Sequence, residues 1–493
     1  MAETVAASPP KMSAWQKAMF GIGSAAFGVK DGGFGVFLLL FYNQIVGISA
    51  TRVSLAIAIA TVVDAFADPF IGVVSDRWRS RLGRRHPFMF ASAVPVAVLY
   101  FILWTPPHWS ADALFGYVLV VSILLRVSIA CYEVPSTALV AELSRDYDER
   151  TSILSFRWFF QLVVPAAVYV ITLNTFMKST PAFSNGMLNP ASYLPYALFA
   201  SLVMLASILF SSLGTRSRIP YLKTNIGAPT VGVATIVRES FRSLTNPSFV
   251  LVTVSGLFSA MATGIGASIN SYLGVYFWKF SSAQLSLLGF AALVAAFIAP
   301  PISPWISRRF GKKRGGIALA AAWLIVAQAA PVLKLMGFLP PEGSNALLGV
   351  LFFTTVLGWS LILAALILLI SMITDINEDN ELRTGQRSEG VFAAASSFMN
   401  KVVTGVGVLV GGLLIDIVHF PQHATPQSID PHIIRNLVIA NIPIQVVLIA
   451  IAITLLALYK IDRAVHEDNL RKIADAVAAE SKLGPIADTP RIG

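Results

Sequence analysis

Thr51-Arg-Val-Ser-Leu-Ala-Ile-Ala-Ile-Ala-Thr61-Val-Val-Asp64-Ala-Phe-Ala-Asp68-Pro69-Phe-Ile-Gly-Val-Val-Ser75 is an apolar run carrying two acids, and Asp76-Arg77-Trp-Arg79-Ser-Arg81-Leu-Gly83-Arg84-Arg85 follows it. The run is long enough to cross a hydrocarbon layer of about 30 Å as a helix, and the basic segment ends it. Such apolar runs recur along the chain, at 16–46, 86–105, 111–141, 151–175, 192–213, 248–278, 282–306, 316–338, 345–373, 388–418 and 436–459. Together with 51–75 they make twelve candidate membrane helices, so the expected class is an all-α membrane protein.

Composition agrees. Of 493 residues, 56% are hydrophobic and 13% are charged, about half the charged share of a soluble domain. The net charge of +10 does not point to nucleic acid, because the basic residues cluster in short connections between apolar runs, as membrane topology requires. The single cysteine, Cys131, excludes an internal disulfide framework. The first apolar run continues to about Val46 without a small-residue cleavage site, and is expected to stay in place as the first helix.

The connection after the second run holds Arg77, Arg79, Arg81, Arg84 and Arg85, whereas the one after the third run holds no Lys or Arg from Thr105 to Ala111. The same asymmetry returns after the eighth run, with Arg308, Arg309, Lys312, Lys313 and Arg314, against none between Met336 and Asn345. This places the basic loops and both termini in the cytoplasm. Gly83 and Gly311 stand 228 positions apart in matching basic segments, and Arg150-Thr151 is echoed 233 positions later by Arg383-Thr384. The expected organisation is two pseudo-symmetric six-helix halves, residues 1–213 and 248–459, joined by a polar linker at 214–247 and followed by a tail at 460–493. Such a repeat, with a solute site between the halves near the midplane, is a transporter plan.

Asp64 and Asp68 lie one turn apart on one helix face. Each ionised acid costs about 2.5–3.5 kcal/mol at the bilayer centre on insertion scales, so a cation, a proton or a base must share that face. Pro69 frees the Ala65 carbonyl beside them, completing an oxygen cluster for a hard cation such as sodium. Tyr132-Glu133-Val134-Pro135 repeats the acid-before-proline arrangement, with Arg126 two turns earlier as a partner for Glu133. In the first run, Lys30 and Asp31 are placed to neutralise one another, and Gly28 and Gly32 open the backbone to a helix or a solute. Lys401 is a lone cation midway along the eleventh run, and Arg157 lies two turns into the fifth. Three acids with one base leave an expected excess of negative charge around Asp64, Asp68, Glu133 and Lys401. No phosphate loop, metal-ligand spacing or nucleophile elbow points to an enzyme or a cofactor.

The ordered set Asp64-Ala-Phe-Ala-Asp68-Pro69, Arg79-Ser-Arg81-Leu-Gly83-Arg84-Arg85-His86-Pro87, Glu133-Val-Pro135, Arg150-Thr-x5-Arg157, Arg383-Thr-Gly-Gln-Arg387-x-Glu-Gly390 and Lys401 resembles the glycoside–pentoside–hexuronide:cation symporters of the major facilitator superfamily. The resemblance spans nearly the whole chain. It implies symport of a sugar, glycoside or related solute with sodium or a proton, in a bacterial inner membrane, by a protein functional as a monomer. It assigns Asp64, Asp68 and Glu133 to the cation and Asp31, Tyr132, Arg157 and Lys401 to the solute side, Lys401 also organising the carboxylates. Asp76, Arg77, Gly83, Arg84, Arg85, Arg308 and Arg309 become gating residues at the cytoplasmic mouth. In the family's best-known member, Glu133 is matched by an aspartate and Thr61 by an arginine. The second helix is also similar to that of animal lysophospholipid transporters, which leaves an amphiphilic solute as one alternative and a non-transporting solute sensor as another.

Overall fold

The computed structural model describes residues 11–144, 146–222, 247–384 and 389–459. The greater part of the 214–247 linker, the 460–493 tail and part of the Arg383–Gly390 motif lie outside them. Twelve helices have the length and apolarity to cross a membrane: helix 1 (Ala14–Ile45), helix 2 (Ala50–Arg77), helix 3 (His86–Leu103), helix 4 (Ala111–Leu143), helix 5 (Tyr147–Phe176) and helix 6 (Pro190–Gly214). Helices 7 to 12 are Phe249–Phe277, Ser282–Phe310, Lys312–Leu335, Asn345–Ile373, Ser396–Ile417 and Pro431–Leu458. Each matches one of the twelve apolar runs. Lipid offers no partner for a backbone N–H or C=O, so each run bonds to itself as a helix.

Side chains cap the ends. The Ser49 hydroxyl accepts from Arg52 N at 3.3 Å, the Asp146 carboxylate accepts from Glu149 N at 2.8 Å, and Ser281 and Gln284 cap helix 8 reciprocally. Such caps satisfy donors that the first turn leaves unbonded. Several helices end in a widened turn, with Val46 N bonded to Phe41 O, Met177 N to Thr172 O and Trp278 N to Leu273 O.

The packing repeats. Helix 1 packs on helices 5 and 6, helix 4 on helices 2 and 3, and helix 3 on helix 6. Helix 7 packs on helices 11 and 12, helix 10 on helices 8 and 9, and helix 9 on helix 12. Adding six to each member of the first set reproduces the second. The main contacts between the sets, helix 2 with helix 11 and helix 5 with helix 8, obey the same rule. The backbone shares the sequence echo: Gly83 and Gly311 both take positive φ, 77° and 79°, a conformation a side chain would strain.

One expected loop is shorter than its sequence suggested. Arg308 and Arg309 occupy the last turn of helix 8, and Lys312, Lys313 and Arg314 the first turn of helix 9, with Gly311 between. Long basic side chains reach water from helix ends, so the helices extend through the basic segment.

The two six-helix sets are joined on the face opposite the basic loops. Tyr272 donates to Asn43 Oδ1 at 2.8 Å, Tyr276 to Gln44 Oε1 at 3.0 Å, and Asn185 Nδ2 to the Phe280 carbonyl at 2.8 Å. The Asp416 carboxylate, at the end of helix 11, accepts from Ala50 N at 3.1 Å and Thr51 N at 2.8 Å, capping helix 2 across the interface. At the basic-loop face, the ion pairs among the described residues stay within one set. Apart from the helix 2–helix 11 and helix 5–helix 8 contacts, the described hydrogen bonds that join the two sets therefore seal the face opposite the basic loops.

Candidate functional site

Helix 11 reaches helix 2 through its glycines. A Cβ on Gly412 would lie 2.7 Å from the Ala50 carbonyl oxygen, and one on Gly407 would lie 2.4 Å from that of Met261 on helix 7. Both contacts are closer than a side chain tolerates, so helix 11 is wedged between helices 2 and 7. This close seating delivers Lys401 to the paired acids. Its Nζ lies 3.0 Å from Asp64 Oδ2 and 2.5 Å from Asp68 Oδ2. One ammonium therefore bridges two carboxylates that would otherwise repel, and it does so across the seam between the two helix sets.

Asp64 is 3% exposed and has a second base. Arg126 Nη1 stands 3.4 Å from Asp64 Oδ2, with its guanidinium 4.7 Å from the Phe34 ring centroid. The structure thus gives Arg126 to Asp64, and not to Glu133 as its sequence position suggested. Seven residues along a helix set the two on one face, but Asp64 on the neighbouring helix reaches the guanidinium first. Among the described residues Glu133 forms no ion pair within 4 Å, yet Lys30, Lys401 and Arg157 are all within electrostatic reach of it. Lys30, 4% exposed, pairs with Asp31 at 2.8 Å as expected, and the Asp31 side chain is 61% exposed.

The expected excess of negative charge is corrected here. Four carboxylates, Asp31, Asp64, Asp68 and Glu133, share the region with four bases, Lys30, Arg126, Arg157 and Lys401. The formal sum is zero, because tertiary contacts bring in Lys30 and Arg126 from helices 1 and 4. A cation that binds the paired acids from this state competes with Lys401.

The solute-side candidates divide. Arg157 is 5% exposed, donates to Thr137 Oγ1 at 2.9 Å and Ser136 Oγ at 3.4 Å, and stacks over Phe20. Its Nη1 has no hydrogen-bond partner among the described residues, so a buried donor is free for a ligand. Tyr132 is fully buried and donates to Ser211 Oγ at 2.7 Å, which places its hydroxyl in the packing between helices 4 and 6. Gly28 and Gly32 also divide: a Cβ at Gly28 would meet the Gln161 carbonyl at 2.6 Å, whereas one at Gly32 meets nothing within 4 Å. The first is filled by helix 5, and the second is open.

At the basic-loop face, Glu142 Oε1 accepts from Arg84 at 2.6 Å and from Arg85 at 2.5 Å, and Asp76 Oδ1 lies 3.2 Å from Arg85 Nη2. Arg77 ends helix 2 and is exposed. The second set builds its counterpart from Lys312, 2.6 Å from Asp375 Oδ1. Lys312 follows Arg84 by 228 positions and Asp375 follows Glu142 by 233, the two repeat offsets of the chain. Arg308 and Arg309 are exposed, with no ion pair among the described residues. Glu142 and Asp375 were thus missed, although the repeat offset pairs them.

Comparisons with known proteins bear on the fold and the family. The family model described as MFS/sugar transport protein matches residues 19–463. The chain belongs to this family. It is an integral membrane transporter of the major facilitator fold, and not an enzyme. Its relatives include the isoprimeverose transporter of Lactiplantibacillus pentosus, 26% identical over 77% of this chain and 75% of the relative. The sodium-dependent lysophosphatidylcholine symporter 1-A of Danio rerio is 23% identical over 94% of this chain and 88% of its own. Among solved structures, the nucleoside transporter NupG covers 91% of this chain and all of its own at a TM-score of 0.60, with 13% identity. A bacterial homologue of the lysosomal transporter Spinster, in an inward-facing and unoccupied conformation, matches at 0.60 with 12% identity and covers 90% of this chain and 98% of its own. These two likenesses concern the fold alone.

Proposed function

We propose that this transporter is a symporter that couples sodium or a proton to a sugar, glycoside or related small polar solute by alternating access. The observation that carries the reading is the bridge from Lys401 to Asp64 and Asp68 across the seam. A single contact between the two helix sets thus holds the groups a cation would use. The cation displaces Lys401 from the acids, the freed ammonium turns to the solute or to Glu133, and the seam becomes competent to rearrange. Asp64, Asp68 and Glu133 serve the cation, and Asp31, Arg157 and Lys401 the solute, with Glu133 and Arg157 linking the two groups. Residues 1–213 and 248–459 move as the two halves, and the charged braces around Glu142 and Asp375 keep the helix ends of each half together while they do. The basic loops orient the chain with these braces and both termini in the cytoplasm of a bacterial inner membrane.

Linkage requires that a cation which raises solute affinity be bound more tightly, by the same factor, when solute is present. The test is solute binding and uptake in proteoliposomes, with and without sodium, between about pH 5.5 and 8.5. The panel contains glycosides, hexuronides and lysophospholipids. Unchanged cation dependence in Asp68→Asn, with accumulation intact, would remove the paired-acid site. An amphiphilic solute is the second reading, favoured by the lysophosphatidylcholine symporter that aligns over 94% of this chain. Uptake of lysophospholipid in preference to every glycoside would select it.

A further inference from the structure

On the sealed face, helices 7, 9 and 12 enclose a cavity of roughly 210 Å³ that the transport reading does not use. Its walls include Tyr276, Phe277, Lys279, Lys334, Glu342 and Arg435. Lys334 is the least exposed of the three cations, its side chain 14% exposed. Its ammonium lies 4.0 Å from the Phe277 ring centroid and 5.1 Å from that of Trp278, and it donates to the Phe277 carbonyl. Glu342 serves two ammoniums at once, Lys279 at 2.7 Å and Lys334 at 3.1 Å. Burial disfavours its charge, but the hydrogen bonds from Lys279 and Lys334 outweigh burial and hold its carboxyl below the usual range. Glu342 is therefore ionised at neutral pH, and the three cations around it leave a net charge of +2. Arg435 is exposed and has no ion pair or hydrogen bond among the described residues.

A cavity of this size is below the roughly 300 Å³ at which drug-sized pockets begin. It suits a small anion. Its positive charge, a forked guanidinium and two ammoniums match the several oxygens of a phosphate group better than a single carboxylate does. Next to Lys334 in the chain, Leu333, Met336 and Phe338 are exposed apolar side chains at and just beyond the end of helix 9, the level at which a membrane protein meets headgroups and upper acyl chain.

We propose that this cavity is a phosphate-binding site, filled by the phosphodiester of an anionic lipid headgroup or by free phosphate. Lys334 holds the oxyanion from the aromatic wall, Arg435 closes on it from the rim, and Glu342 keeps Lys279 and Lys334 apart when the site is empty. An occupied site ties helices 7, 9 and 12 together on the face that seals the carrier.

The test uses the full chain purified in detergent. Native mass spectrometry reads retention of phosphatidylglycerol against phosphatidylcholine, and thermal unfolding reads the effect of inorganic phosphate against chloride at equal ionic strength. Retention of phosphatidylglycerol about tenfold above phosphatidylcholine, reduced about tenfold in Arg435→Gln and in Lys334→Gln, supports the lipid source, since each variant removes a charge-assisted hydrogen bond. Stabilisation by phosphate without lipid preference, lost in the same variants, supports the free anion. Arg435→Gln and Lys279→Gln change partly exposed side chains and carry the test if Lys334→Gln does not fold. Equal retention of both lipids with no effect of phosphate overturns the proposal, as does a preference that survives Arg435→Gln and Lys279→Gln undiminished.

Discussion

The fold makes two equivalent seams between its helix sets, and they are chemically unlike. Where helix 2 meets helix 11, Asp64, Asp68 and Lys401 share charge-assisted bonds of 3.0 and 2.5 Å. Where helix 5 meets helix 8, the contacts are neutral: Asn174 Nδ2 donates to Ser286 Oγ at 2.8 Å, and the Tyr169 hydroxyl donates to the Leu285 carbonyl at 3.4 Å. The offset of 228 carries Asp64 and Asp68 to Ala292 and Ala296, and the offset of 233 carries Val168 to Lys401. Symmetry therefore supplied two places for a switch and the sequence charged one of them. Neutral hydrogen bonds contribute about 1 kcal/mol each whatever ion is present, whereas a carboxylate pair changes its free energy with every cation that enters. In the proposed mechanism only the first seam reports ion binding to the rest of the molecule.

The comparison breaks most decisively at the charged seam. Asp68→Asn, or Lys401→Ala, is expected to lower cation-driven accumulation about a hundredfold or more, the scale of removing one member of a partly buried charge cluster that includes the buried Asp64. Downhill exchange should survive in part. Accumulation and exchange are measured side by side in proteoliposomes, and equal loss of both would mean that the residue holds the fold together and does not couple the ion.

Asp416→Asn should come next. It removes the charge from the cap that helix 11 places on the first turn of helix 2, so the sealed face is expected to open about tenfold more often. Reactivity of a cysteine introduced at Gln44, in a chain with Cys131 replaced, checks this from the sealed side. No increase in labelling would show that the uncharged bonds of Asn43, Gln44, Tyr272 and Tyr276 suffice.

A smaller effect is expected at the basic-loop face. Asp76→Ala leaves Glu142 to hold Arg84 and Arg85 alone, and should slow turnover about threefold with solute affinity little changed. Turnover is read from initial rates at saturating solute and affinity from equilibrium binding; an altered affinity at normal turnover would place Asp76 in the solute path.

The smallest change belongs to the neutral seam. Asn174→Ala should alter turnover by less than about threefold, below the roughly fivefold that the full worth of one neutral hydrogen bond would give, and should leave the sodium and pH dependence of uptake where they were. A shifted ion dependence in this variant would make the two seams alike in function and end the distinction.

Much of this was legible in the sequence. The twelve helices follow from apolar length, and the paired acids stand out because an ionised group in a membrane run requires compensation. The partner of those acids was legible in kind, as a lone lysine in the eleventh run, but its distances were not. Arg126 shows the limit: spacing along helix 4 pointed to Glu133, and contact with helix 2 gave it to Asp64. Glu142 and Asp375 escaped because an acid at a helix end is ordinary in isolation, and it becomes a brace only when a neighbouring helix brings arginine or lysine to it.

By itself the sequence determined the all-helical class, the number of crossings, the repeat and the acids that need a positive partner, since each rests on free energies that act along one segment: apolar transfer, backbone hydrogen bonding and the cost of charge in lipid. Tertiary structure alone decided which base meets which acid, that the charge around the site sums to zero, and which face is sealed. Those depend on the approach of helices far apart in the chain. Gly407 and Gly412 set that approach for helix 11, and a change of a few ångströms there decides whether Lys401 bridges the two acids or leaves them to a cation.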